Sequence, residues 1–162
     1  MSWFRREVRT HIDNAMTEDS RVLADIHGRS FDRGWSAEEM RAMISARPVV
    51  EVLALRRSDS GKATTAGFVV LRIAGGEAEI LTLAVDPQYR RCGYGKLLME
   101  EALRHAYRDR VGAVFLEVDE TNRAAVPLYS ALGFETVGRR ARYYERQDGP
   151  AGSALVMRLR LG

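Results

Sequence analysis

The chain has 162 residues, enough for about one domain with a core of its own. An apolar fraction of 46%, a charged fraction of 29%, 14 Gly and 4 Pro exclude collagen-like, low-complexity and wholly disordered chains. The 25 basic against 22 acidic residues leave +3, an excess that suits a phosphate-bearing small molecule and falls short of the basic stripe of a nucleic-acid binder.

In chain order, residues 8–12 read as a short strand. Thr17-Glu18-Asp19 reads as a helix start, a capping hydroxyl followed by two carboxylates on the positive end of the dipole, with Val22, Leu23 and Ile26 on its buried side. Ser36-Ala37-Glu38-Glu39 has capping-box spacing and opens a second helix that ends before Pro48. The period then changes. Residues 49–55 and 66–73 are rich in Val, Leu and Ile, and Ser58 to Lys62 reads as the hairpin loop between them. Gly75-Gly76 turns the chain into a strand over 79–85 that stops at Asp86-Pro87.

From Gly93 the helical period takes over, with Met99, Ala102, Leu103, Ala106 and Tyr107 on one side and Glu100 and Arg104 paired on the wet face. A buried strand follows over 114–118. Thr121 or Asn122 caps a shorter helix that closes at Gly133, its Pro127 placing the start of regular helix close by and Tyr129 near the first turn. Two terminal strands, 134–144 and 154–161, flank a turn at Gln147 to Pro150. The fold class is therefore α/β in one domain over 1–162, with about four helices on a mixed, mostly antiparallel sheet. Strand 79–85, helix 93–108 and strand 113–118 form a right-handed crossover that makes a central parallel strand pair. Ligands favour the carboxyl ends of such strands, where Asp86 to Lys96 and Asp119 to Asn122 sit.

No apolar run reaches the length of a membrane helix, and no apolar segment follows the N-terminal charges as in a secretory signal. Cys92 is the only cysteine, which forbids an internal disulfide and fits a reducing, cytoplasmic setting. With His11, His27 and His105 scattered, no metal site is legible.

The chemistry is densest in Arg90-Arg91-Cys92-Gly93-Tyr94-Gly95-Lys96, which joins a strand to a helix N-terminus. Its glycines permit close backbone approach, and free first-turn N–H groups favour an anion such as a diphosphate. A Walker-type loop needs four residues between its glycines and then Lys-Ser/Thr, which this turn lacks. A dinucleotide fingerprint needs a glycine where Leu98 stands and a second mononucleotide half, although Glu117 ends the next strand about where a ribose-binding acid belongs.

Arg90, Gly93 and Gly95 match the Gln/Arg-x-x-Gly-x-Gly/Ala signature of the GNAT superfamily of acetyl-CoA-dependent N-acetyltransferases, which the chain resembles. The likeness continues through Leu116-Glu117-Val118, Asn122, Leu128 to Phe134, Arg142-Tyr143-Tyr144, Asp148-Gly149 and Val156-Met157. It is closest from about residue 79 to 161, and in detail it looks like the RimI type, which acetylates the N-terminal alanine of a ribosomal protein. The resemblance implies that acetyl-CoA lies across a splayed pair of strands and that its thioester carbonyl accepts a backbone N–H from the stretch Leu83, Ala84 and Val85. The diphosphate would lie on the amides of Arg91, Cys92, Gly93, Tyr94, Gly95 and Lys96, with Arg90 or Lys96 adding charge. Asn122 would contact the pantetheine arm, cap its helix, or do both.

From spacing alone Glu117 reads as a strand-end residue in an ion pair and Tyr129 as a core aromatic. The resemblance gives them the roles of general base and general acid. The types suit the chemistry: an amine must shed a proton to attack a thioester, and the departing thiolate must gain one. Tyr143 and Tyr144 would face the acceptor, a protein N-terminus. Two other readings stand beside this one, an acetyltransferase for a small amine and a non-catalytic acyl-CoA sensor, the latter expected to lack the catalytic pair. Cys92 reads as a passive small side chain. No membrane, metal or direct nucleic-acid partner is expected.

Overall fold

The computed structural model describes residues 7–141 and 152–162. In chain order it runs β1 (Val8–Asn14), a 3₁₀ turn (Thr17–Asp19), α1 (Ser20–Ser30), α2 (Ala37–Ile44), β2 (Val50–Asp59), β3 (Lys62–Ala74), β4 (Glu77–Val85), a second 3₁₀ turn (Pro87–Tyr89), α3 (Tyr94–Arg108), β5 (Ala113–Asp119), α4 (Ala125–Ala131), β6 (Glu135–Ala141) and β7 (Ser153–Arg160). The strands are ordered β1-β2-β3-β4-β5-β7-β6. β1 with β2, β5 with β7 and β6 with β7 run antiparallel, whereas β4 and β5 run parallel as the crossover requires. The four helices and mixed sheet are the expected α/β class.

The described residues fall into two compact units. One holds the chain up to Leu71 together with Thr82–Ala102; the other holds Arg72–Leu81 with Leu103–Gly162.

In the first unit, Ser36 caps α2 as its spacing predicts, its hydroxyl accepting the Glu39 N–H at 3.1 Å. The start of α1 is different. Thr17 opens a 3₁₀ turn and makes no side-chain cap; Asp19 instead accepts the Met16 N–H at 2.7 Å. Asp19 is committed elsewhere too, taking two bonds from Arg56, 2.9 Å to Nη1 and 2.8 Å to Nη2. That guanidinium holds the Asp19 carboxyl below the usual carboxylate range, and it also reaches Asp13 at 2.9 Å and Thr65 at 2.7 Å. β3 carries a run of fully buried side chains from Phe68 to Leu71. At Gly67 an added Cβ would lie 2.7 Å from the Ala84 carbonyl oxygen and 3.2 Å from the Val85 Cα, so only glycine lets β3 lie this close to the end of β4.

In the second unit, β4 pairs with β5 from Glu77↔Ala113 to Ile80↔Leu116, and beyond that pair β4 runs on to Val85 and β5 to Asp119. Burial alternates strictly along β5: Val114, Leu116 and Val118 are buried, and Phe115 and Glu117 point to the half-open face. β7 lies between β5 and β6, pairing with β5 from Ala113↔Arg160 to Asp119↔Ala154.

Candidate active site

The residues expected from the sequence to meet an anion lie together in the first unit. β4 ends on Leu83, Ala84 and Val85, with Ala84 buried between its half-buried neighbours. Asp86 then stops the strand: its N–H donates to the Ala66 carbonyl at 2.7 Å, and its carboxylate accepts the Gln88 N–H at 3.0 Å and pairs with Arg29 at 3.2 Å. After the 3₁₀ turn, Arg90, Arg91, Cys92 and Gly93 are exposed, with Arg91 at φ 65° and Gly93 at φ 78°. Left-handed residues in such a turn direct backbone N–H groups into a common concavity, which suits an anion. The Leu97 N–H donates to the Gly93 carbonyl at 3.2 Å, so α3 itself offers no acceptor to the N–H groups of Tyr94, Gly95 and Lys96. Lys96 leans along the helix toward Glu100 at 3.9 Å. Cys92 is an exposed free thiol on this turn.

Glu117, Asn122 and Tyr129 belong to the second unit. Glu117 is a partly buried carboxylate whose Oε1 lies 3.2 Å from Arg140 Nη1. It borders a cavity of about 290 Å³ together with Arg72, Glu77, Glu79, Phe115 and Val156. Following β5, Asp119 folds the chain back by accepting the Thr121 N–H at 2.9 Å and its hydroxyl at 2.7 Å. The Asn122 side-chain oxygen then accepts the Ala125 N–H at 3.0 Å, so Asn122 caps α4 and keeps its amide hydrogens for another partner. Pro127 is the third residue of α4, where a missing N–H costs no helical bond. Tyr129 follows one turn in, buried, with its ring packed edge-on against Phe134 at 6.0 Å. Burial pushes its hydroxyl up to about 12, so the phenol keeps its proton throughout the neutral range. Tyr143 and Tyr144 lie outside the described residues. Among the described residues, no three His, Cys, Asp or Glu side chains gather into a metal-binding group, and no helix is long and apolar enough to cross a membrane.

One residue of the first unit escaped the sequence. His27 is buried in α1, its ring stacked against Phe31 at 4.4 Å and Trp35 at 4.6 Å. Its Nδ1 accepts the Trp35 N–H at 3.0 Å, which assigns the ring proton to Nε2, 3.3 Å from the Thr82 hydroxyl. The four-residue spacing of His27, Phe31 and Trp35 is the only signal the sequence offered. Burial lowers the imidazole below its ordinary 6.5, against an opposing effect of Glu39. The folded state therefore favours neutral His27, and its contribution is complete above pH 6.5 and lost as the pH falls below that value. Urea unfolding between pH 7.5 and 5.5 should show a falling midpoint, with a flatter dependence in His27→Gln. Equal slopes would separate His27 from the acid sensitivity.

The sequence profile described as Acetyltransferase (GNAT) family matches residues 21–134. The [Ribosomal protein bS18]-alanine N-acetyltransferase of Escherichia coli K12 is 30% identical over 148 residues, 91% of this chain and 95% of that protein. The enzyme of the same name from Haemophilus influenzae is 35% identical over 91 residues, 56% of this chain and 62% of its own. The crystal structure of the Escherichia coli ribosomal-protein-S18-alanine N-acetyltransferase superposes with a TM-score of 0.81 at 29% identity, covering 94% of each chain.

Proposed function

The chain belongs to the GNAT acetyltransferase family and is an acetyl-CoA-dependent N-acetyltransferase; from that premise we propose that it acetylates the α-amine of a protein N-terminus, with a ribosomal protein beginning in alanine as the natural acceptor. The observation that carries the acceptor assignment is the similarity along nearly the whole chain to an enzyme named for acetylating an alanine of a ribosomal protein.

In this reading the diphosphate of acetyl-CoA lies on the N–H groups of Arg91 to Lys96. The end of β4 receives the pantetheine arm and the thioester carbonyl, and the Asn122 amide donates to the arm. Glu117, directly or through a water, takes the proton from the acceptor ammonium. The freed amine adds to the thioester carbon, the tetrahedral adduct collapses with cleavage of the C–S bond, Tyr129 protonates the departing thiolate, and the remaining extra proton on the new amide nitrogen returns to the Tyr129 phenolate. No covalent acyl-enzyme is required. An α-amine suits this chemistry better than lysine, because about two pKa units less protonation must be undone at neutral pH. A ribosomal acceptor also agrees with a cytoplasmic location.

The test is acetyl transfer to peptides that differ in their first residue. Peptides beginning with Ala or Ser should be acetylated, and internal lysines should react little. Transfer to spermidine or an aminoglycoside, with none to any peptide terminus, would replace this proposal with a small-amine acetyltransferase.

A further inference from the structure

Arg57 stands near the end of β2, opposite Thr10 of β1 and far in sequence from the anion-binding turn. Its neighbour Arg56 points to Asp13, Asp19 and Thr65, as alternation along a strand demands. Arg57 points the other way. Its Nε donates to the Tyr94 hydroxyl at 3.1 Å, and its guanidinium carbon sits 4.7 Å from the centre of the Tyr89 ring. Asp59 lies 3.7 Å from its Nη1 and steadies the charge from the same strand.

The two tyrosines occupy telling positions. Tyr89 is the last residue before the exposed stretch Arg90-Arg91-Cys92-Gly93, and Tyr94 is the first residue of α3 after it. Their rings are 6.4 Å apart, and the guanidinium engages both. One side chain from a distant strand thus ties together the two ends of the turn. Within the turn, Arg91 and Gly93 are held at positive φ, and left-handed Arg91 costs about 1 kcal/mol that the surroundings must offset. An exposed four-residue stretch with such a backbone is a poor anion site unless its ends are fixed, because ligand binding must otherwise order it.

We propose that Arg57 is a positioning residue for the donor substrate: by bonding Tyr94 and stacking on Tyr89 it sets the span of the turn, so that the N–H groups of Arg91 to Lys96 are preorganised for the diphosphate of acetyl-CoA. This inference rests on the reading of that turn as the diphosphate seat. Arg57 acts through the tyrosines, and its effect belongs to the diphosphate alone. A donor without a diphosphate is therefore indifferent to it.

The experiment compares steady-state transfer from acetyl-CoA and from S-acetylpantetheine, which lacks the diphosphate and the nucleoside, to one acceptor peptide. Arg57→Ala should raise KM for acetyl-CoA about tenfold, the loss expected for one charge-assisted hydrogen bond, with kcat within about twofold. Its kcat/KM with S-acetylpantetheine should stay within about twofold of the parent. Tyr94→Phe and Tyr89→Leu should shift KM for acetyl-CoA in the same direction by about threefold. Equal losses with both donors would mean general damage and overturn the proposal. So would an unchanged KM in Arg57→Ala, or Tyr variants that behave as the parent while Arg57→Ala does not, since the guanidinium would then meet the phosphate itself. Should Arg57→Ala fail to fold, Tyr94→Phe keeps the ring and still decides between these outcomes. Gly95→Asp separates the two levels of argument. If it binds CoA normally, the turn is not the diphosphate seat; if it loses CoA while Arg57→Ala and both tyrosine variants are unaffected, the positioning role alone fails.

Discussion

Glu117→Gln and Tyr129→Phe are each expected to lower kcat by about 10²–10⁴, with modest effects on CoA affinity. Both substitutions are nearly isosteric. Glutamine can still accept a hydrogen bond from Arg140, which lies 3.2 Å from the native carboxylate, and phenylalanine keeps the edge contact with Phe134. What disappears is a proton acceptor in one case and a proton donor in the other. The Tyr129 hydroxyl is suited to donation because burial pushes it up to about 12, so it is protonated whenever a thiolate departs at neutral pH. The measurement is kcat and KM for acetyl-CoA and peptide, with thermal unfolding as the control for folding. Near-native turnover in both variants would remove these residues from the chemistry.

Gly95→Asp is expected to weaken CoA binding by about 10²-fold or more while leaving the fold intact. Gly95 is the second residue of α3, where a carboxylate is favoured by the helix dipole, so the substitution should not lower stability through the helix itself. The same carboxylate would stand among the N–H groups assigned to the diphosphate. A unit charge about 4 Å from another at a protein surface is repelled by about 4 kcal/mol before salt screening. Helix stability and ligand affinity should therefore diverge, which a merely disruptive substitution would not produce. Isothermal calorimetry with CoA reads the affinity directly, and an unchanged value in the folded variant would sink the diphosphate assignment.

The crossover from β4 through α3 to β5 was legible because it rests on local signals: a change of period at Gly93, a stop at Asp86-Pro87 and a turn at Gly112. The outer ends of the β2–β3 hairpin were not. β2 continues to Asp59 and β3 begins at Lys62, where Arg, Ser, Lys and Thr replace the apolar residues that mark a strand in sequence. Thr17 offered the right chemistry for a cap, but Asp19, already held by Arg56, met the Met16 N–H instead. His27 is announced only by its four-residue spacing from Phe31 and Trp35 and Arg57 by nothing local, since His27 meets Thr82 and Arg57 meets Tyr94 only when distant segments come together. For Asn122 the sequence supported a cap, and its side-chain oxygen accepts the Ala125 N–H at the start of α4.

The position of β7 between β5 and β6 bears on how the chain acquires its structure during synthesis. β5 and β6 emerge first, yet the second edge of β5 and the ladder of β6 are both completed by β7, as far as Arg160 for β5 and Arg158 for β6. Until that segment has cleared the ribosome, both carry unsatisfied strand edges, the kind of surface that invites association with other chains. The closure is also long in sequence, and such pairings are slow because loop entropy is lost before any bond is gained. A stop codon before Ser153 would therefore remove the shared partner of two strands and leave a product prone to aggregate.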